Sequence, residues 1–247
     1  MAIGATKLVE QFKEEATRTG AVVCEAKDAE AVKDYVLKLA QEHNVKHIVK
    51  SKSMLAEEIE LREHLENAGI EVKETDLAEW IAQLAGERPP PVTGPAIPKT
   101  IEQVAELISK ATGEKLEPDP QVLLNAARRA LRQSYIDADM GISEASIAIA
   151  ETGTLVLMSS EGNARLVAVL PPIHVTMVDC EKLVPTMEDA TVRLKALSQD
   201  MAGRKISSYV TYITGRNTTG DIPGALMARA QGPEEEHVVL VGKPAGK

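Results

Sequence analysis

The sequence predicts an α/β fold with a mixed sheet, and three observations carry that expectation. Short apolar runs alternate with helix-spaced apolar positions as far as Leu84. A proline-rich stretch then breaks the rhythm. From about Ser146 the apolar runs are short, and glycine-bearing polar turns separate them. Alternation of the first kind builds βαβ units and a parallel sheet, and turns of the last kind build antiparallel neighbours.

Leu8, Phe12 and Ala16 stand four residues apart, on one helical face, and Gly20 stops that helix. Ala21–Cys24 follows as a strand. Asp28 can cap a helix with Val32, Tyr35, Val36 and Leu39 on one side. Val45–Val49 is the next strand, Ser53 caps a third helix ending near Gly69, and Ile70–Val72 is a strand again. Asp76 and Glu79 have capping-box spacing ahead of Leu77, Ile81 and Leu84. Five prolines within residues 88–98 exclude a helix or a central strand and predict a crossing loop. Helices are expected from Thr100, boxed by Gln103, and from Asp119-Pro120. Ser146–Glu151, Thr154–Ser159, Arg165–Leu170 and Ile173–Asp179 read as an antiparallel meander. A helix near Glu188–Met201 and strands at Ser208–Thr214 and His237–Val241 close the chain, which reads as a single domain over residues 1–247.

Composition narrows the function. With 28 Lys+Arg against 37 Asp+Glu the net charge is −9, which opposes a nucleic-acid binder. No uncharged apolar run reaches the ~20 residues of a membrane helix. The N-terminus has no basic segment followed by an apolar one, so a cytoplasmic protein is expected. Two cysteines, Cys24 and Cys180, cannot supply four thiolates to an iron–sulfur cluster. The five histidines show no metal-ligand spacing, so neither a metal nor a cofactor is expected in this chain.

Four places carry chemistry-bearing residues. Lys50, Ser51, Lys52 and Ser53 lie between a strand and a helix start, where N–H groups and the helix dipole favour an anion; the alternative is an ordinary serine cap with solvated lysines. Thr152, Gly153 and Thr154 form one polar turn beside Glu151, and Glu161, Gly162 and Asn163 form another. Hairpin turns explain both equally well. Asp137, Asp139, Glu144 and Glu151 suit either a cation or, more simply, an exposed acidic loop. Gly215, Arg216 and Asn217 follow a strand, where open α/β sheets place their ligands, and could close over the Lys50 turn; a surface loop is the alternative. Exposed lysines at 50 and 52 would be replaceable without harm to the fold.

Taken together, Val49–Met54, Glu57-Glu58, Leu65-Glu66, Gly69–Val72, Glu74–Leu77, Pro95–Ile97, Ala148–Thr154, Glu161–Asn163 and Val184-Pro185 resemble the LUD (lactate-utilisation) domain family. The similarity runs from about residue 10 to residue 242. It implies a fold like the NagB/RpiA/CoA-transferase group and a role in oxidising L-lactate to pyruvate. Long members of the family continue into a ferredoxin-like module with [4Fe–4S] clusters. The clusters of such a system are therefore expected in a further module or in iron–sulfur partner subunits, and whether this chain stands alone or forms part of a longer one is left open, as is an oligomer. Ala78, Trp80, Pro98 and the Gly215-Arg216 pair depart from the family's usual residues. The resemblance implies a subunit or domain of a lactate-oxidising complex that binds a small anion such as lactate or pyruvate. The alternatives are an acyl- or CoA-transferase with Glu151 or Glu161 as catalytic carboxylate, and a non-catalytic small-molecule-binding protein.

Overall fold

In chain order, a computed structural model places α1 at Ile3–Arg18, β1 at Val22–Ala26, α2 at Ala29–Glu42, β2 at His47–Lys50, α3 at Met54–Glu58 and α4 at Leu61–Asn67. It continues with β3 at Glu71–Glu74, α5 at Leu77–Leu84, α6 at Ile101–Thr112, α7 at Pro120–Asp137, β4 at Met140–Glu144, β5 at Ile147–Ile149 and β6 at Thr154–Ser159. Then come α8 at Asn163–Val169, β7 at Ile173–Asp179, β8 at Leu183–Val184, α9 at Met187–Asp200, β9 at Tyr209–Thr214, β10 at Thr218–Thr219, β11 at Met227–Ala228 and β12 at Glu235–Val241. The structure describes residues 3–88, 99–200, 207–223, 227–228 and 231–242, so the expected crossing loop lies, apart from Arg88, outside the described residues.

Six strands form an all-parallel sheet in the order β1-β12-β7-β4-β2-β3. The expected parallel pairing of the second and third strands holds, with His47 beside Glu71 and Lys50 beside Glu74. A second, mixed sheet runs β8-β5-β6-β9, with β6 antiparallel to both neighbours and β5 parallel to β8. Helices α2, α3 and α4 cover one face of the six-stranded sheet through Val32, Val36, Ala56, Leu61 and Leu65. On the other face, α1 (Phe12, Ala16) and α8 (Ala164, Ala168) share a core with β5 and β6. Helix α9 closes the outer side of the second sheet through Ala190 and Leu194.

The antiparallel meander holds for its first two strands, β5 and β6, and is corrected beyond them. Arg165–Leu170 is not a strand but most of α8, and Ile173–Asp179 joins the parallel sheet instead. Short apolar runs read alike as strand or buried helix. Here the burial of Ala164, Val167 and Ala168, with Leu166 and Leu170 exposed, follows a helical face. The helix packs so tightly on β4 that a Cβ at Gly141 would lie 2.0 Å from the Val167 carbonyl oxygen. Gly141→Ala is therefore expected to destabilise by about 2–3 kcal/mol, read as a lower melting temperature. An unchanged melt would mean that α8 yields freely.

Other boundaries moved for local reasons. The third helix is two short ones, because Glu60 takes a left-handed conformation (φ 54°) between them. The supposed acidic loop contains β4, a central strand whose last residue is Glu144. Asp76 caps α5 by accepting from the Ala78 and Glu79 N–H groups, but the Glu79 side chain turns into the interior rather than back to the cap. Cys180 opens the 3-10 turn Cys180–Lys182 that follows β7. The box of Thr100 and Gln103 and the Asp119 cap form as expected.

Candidate functional site

Connections leaving β2 run outward to β3, whereas those after β4 run the other way through β7 to β12. The carboxyl ends of β2 and β4 therefore flank the topological switch point, where open α/β sheets hold ligands. Four expected site residues, Lys50–Ser53, lie there.

Their arrangement differs from the expectation in one decisive respect. Lys50 is not a solvated lysine: it is 1% exposed and sits among three carboxylates. Its Nζ lies 3.0 Å from Glu57 Oε1, 3.0 Å from Glu74 Oε2 and 3.7 Å from Glu79 Oε2. The strand register explains this, since β2 and β3 end together with Lys50 beside Glu74. Arg62 Nε stands 4.0 Å from Glu74 Oε1. The ammonium meets Glu57 and Glu74 at hydrogen-bond distance, whereas Glu74 Oε1, Glu79 Oε2 and Arg62 Nε lack a hydrogen-bond partner. Burial works to lower the Lys50 pKa, but Glu74, Glu79 and Glu57 overcome it and hold the ammonium above the ordinary lysine range. Burial pushes Glu74 up to about 8 against the pull of Lys50. Glu79 is also raised, by burial and then, against Lys50, by its neighbours Asp76 and Glu57. Among the described residues, Glu57, Glu74 and Glu79 are the one trio close enough to hold a metal ion, and the Lys50 ammonium already occupies the role of their cation.

The helix start beyond Lys50 is likewise served from within. Ser53 Oγ accepts from the Ala56 N–H at 3.0 Å and donates to Glu144 Oε2 at 2.8 Å, while the Leu55 N–H donates to the same oxygen at 3.1 Å. Lys182 pairs with the other oxygen of Glu144. The carboxylate that the turn attracts is thus the protein's own, and Glu144 is not part of an exposed acidic loop. Ser51 is buried and donates its N–H to the Ile142 carbonyl at 2.9 Å. Lys52 alone of the four is exposed.

The 159–163 turn reaches this edge. Asn163 Nδ2 donates to Thr75 Oγ1 at 3.3 Å, and Thr75 Oγ1 donates to the Lys50 carbonyl at 2.8 Å. Ser159 Oγ donates to Asn163 Oδ1 at 2.6 Å and accepts from the Glu161 and Gly162 N–H groups. Glu161 Oε2 accepts from the Leu77 N–H at 3.2 Å. Partial desolvation there, followed by the charge of Asp76, raises the Glu161 carboxyl, with Lys52 pulling the other way. Burial pushes the neighbouring Tyr135 phenol up to about 12, with Thr75 pulling the other way. Lys52, Asp76 and Glu161 therefore stand close enough at this edge to act on one another's charge.

The remaining candidates lie elsewhere. Thr154 pairs with Thr214 at one end of β6, and Ser159 pairs with Tyr209 at the other. Those ends are roughly 16 Å apart at strand rise. Thr152 and Thr214 both hydrogen-bond Thr154. Cβ atoms at Gly153 and Gly215 would strike the backbones of Ala16 and Thr19. The Arg216 N–H donates to the Thr19 carbonyl, and Asn217 Nδ2 donates to the Pro233 carbonyl. Glu151 Oε1 accepts from the Met187 N–H at 2.7 Å, at the start of α9. Arg216 and Asn217 therefore do not close over the Lys50 turn; their loop fastens the second sheet to α1. Burial raises both Cys24 and Cys180, disfavouring the reactive thiolate.

Sequence reasoning passed over Arg62, Tyr135 and Lys182, took Glu74 and Thr75 only as part of the family resemblance and saw Glu79 only as a capping signal. A charged residue ending each of two neighbouring strands, Lys50 and Glu74, was the available sign of a buried pair.

The comparisons extend over nearly the whole chain. The LUD domain matches residues 9–241. Lactate utilization protein B of Geobacillus thermodenitrificans is 40% identical over 232 residues, covering 94% of this chain and 47% of that protein. The protein of the same name from Oceanobacillus iheyensis is 37% identical over 237 residues, 96% of this chain and 48% of its own length. The chain spans about half the length of these curated relatives. A crystal structure of a DUF162 family protein from Deinococcus radiodurans aligns with a TM-score of 0.53 at 16% identity, covering 96% of this chain and 98% of that one, and shares its fold. Among the described residues no helix is long and apolar enough to cross a membrane. By the extent of the domain match and the coverage of these relatives, the chain belongs to the LUD domain family.

Proposed function

We propose that this chain is the LUD part of a cytoplasmic lactate-oxidising system, and that it binds a small hydroxy- or oxo-carboxylate such as lactate or pyruvate at a crevice bordered by Lys52, Asp76 and Glu161. The observation that carries the reading is the 40% identity to lactate utilization protein B across 94% of the chain. The geometry supports it in three ways. The crevice lies at the switch point of the sheet. Lys52 is its exposed cation, suited to a carboxylate. Glu161 carries a raised pKa and can take a hydroxyl proton. Oxidising a hydroxy acid to an oxo acid releases two protons and two electrons: Glu161 would take the hydroxyl proton, the C–H proton would pass to solvent, and iron–sulfur clusters of a partner subunit or a further module would take the electrons one at a time. An acyl-transfer reading rests on Glu161, because the carboxylate of Glu151 already caps α9.

Calorimetric titration with L-lactate, pyruvate and phosphate tests the site. Lys52→Met is expected to weaken carboxylate binding about tenfold, as loss of a charge-assisted hydrogen bond does, while moving stability by less than ~0.5 kcal/mol. Binding to the unaltered chain is expected to weaken with added salt. Equal affinities for both proteins would remove the carboxylate from Lys52.

A further inference from the structure

The cage around Lys50 joins five elements: Lys50 ends β2, Glu74 ends β3, Glu57 comes from α3, Arg62 from α4 and Glu79 from α5. Its charges do not balance. Three carboxylates face one ammonium and one guanidinium, leaving one excess negative charge where Lys50, Glu74 and Glu79 are essentially excluded from water. Other charged groups nearby do not supply the missing cation. Glu63 pairs with Arg62 and Glu66 acts on it, Asp76 adds negative charge beside Glu79, and among the described residues Lys52 offers partial relief, from the exposed side. At the far end of the turn, Lys182 is taken by Glu144.

One proton removes both defects, cancelling the excess charge and giving an oxygen that lacks a donor an O–H of its own. The carboxylate best placed to leave if that proton is lost is Glu57, the partly exposed member at 28%. It lies on a helix of five residues that Ser53 caps and Lys52 precedes.

We propose that the Lys50–Glu57–Glu74–Glu79 cage is a proton-operated latch. With one proton on Glu74 or Glu79 it holds α3 against the carboxyl edge of the sheet, and loss of that proton frees Glu57 and loosens α3, leaving the helix and the Lys52–Ser53 turn held by Glu144 through Ser53 and Leu55. The raised pKa values of Glu74 and Glu79 agree in sign. A carboxyl whose pKa is higher in the folded state stabilises the fold in its protonated form, so its contribution is complete below the ordinary glutamate range and is lost as pH rises through about 8 for Glu74. Lys50, itself raised, stays charged throughout that window. As a control on access to the crevice the latch rests on the ligand reading above.

The experiment uses no ligand, so the two can fail separately. Hydrogen exchange is followed by mass spectrometry from pH 6 to 9 on the full chain, with rates corrected for the intrinsic pH dependence of exchange. Protection of residues 54–58 is expected to fall about tenfold or more across this range, while that of β4 and β7 holds. Glu74→Gln and Glu79→Gln each make three carboxylates two and balance the charge, so either is expected to abolish the pH dependence; if one does not fold, the other decides. Protection that ignores pH in the unaltered chain, or a pH dependence that survives in every folded variant, would overturn the latch.

Discussion

Replacing Lys50 by Met is expected to cost about 3–5 kcal/mol of stability, the range for removing one partner of a buried ion pair. The substitution keeps much of the side chain's apolar stem but leaves Glu57, Glu74 and Glu79 facing one another, with only Arg62 nearby. Two of those carboxylates, Glu74 and Glu79, are buried and cannot turn to water without moving the ends of β3 and α5. Adding Glu74→Gln to Lys50→Met is expected to recover part of the loss, because it removes one of the charges left uncompensated. Urea denaturation of the single and double variants checks both statements. A loss below ~1 kcal/mol for Lys50→Met would show that the carboxylates take up protons at no cost and that the ammonium is not what holds the cage. The contrast with its neighbour is sharp: two residues along the chain, Lys52 is solvated, and its replacement is expected to leave the fold intact.

A comparable effect is expected from His174→Leu. His174 joins three strands of the parallel sheet: its Nδ1 lies 2.8 Å from Glu236 Oε2 on β12 and its Nε2 lies 2.8 Å from Ser143 Oγ on β4. Thr176 donates to the other Glu236 oxygen at 3.2 Å. All four side chains are buried. Leucine approximates the volume of the ring but leaves the Glu236 carboxylate with a single hydroxyl donor, again a loss of about 3–5 kcal/mol. Because the residues act as one network, the double variant His174→Leu/Glu236→Leu is expected to lose less than the sum of the two single changes. Additive losses in a denaturation cycle would show instead that the two side chains stabilise the sheet independently.

Much of the architecture was legible because it rests on local rules. The helical faces of α1 and α2, the Asp28, Ser53 and Asp119 caps and the Thr100–Gln103 box each depend on residues within a few positions of one another. Parallel pairing of β2 and β3 followed from strand–helix–strand alternation. Misreading Arg165–Leu170 as a strand shows where local rules stop. Its apolar run suits either element, and the choice fell to the flat surface that Gly141 offers on β4, a residue more than twenty positions away.

The candidate site divides along the same line. The polar turn after β2 and the polar turn after β6 were visible in the sequence, as was the family to which they point. Their meeting through Thr75 was not, because it depends on where α8 and the second sheet pack. Nor was the exclusion of Gly215–Asn217 from the crevice, which follows from their standing at the opposite end of β6. Sequence by itself determined that Lys50 directly follows an apolar strand and that a serine caps the helix beyond it. Only the tertiary structure decided that Lys50 points inward. The register of β2 against β3 sets Glu74 beside it, and α3 and α5 close over the pair with Glu57 and Glu79, so a side chain that local rules assign to water becomes the central charge of a desolvated cage.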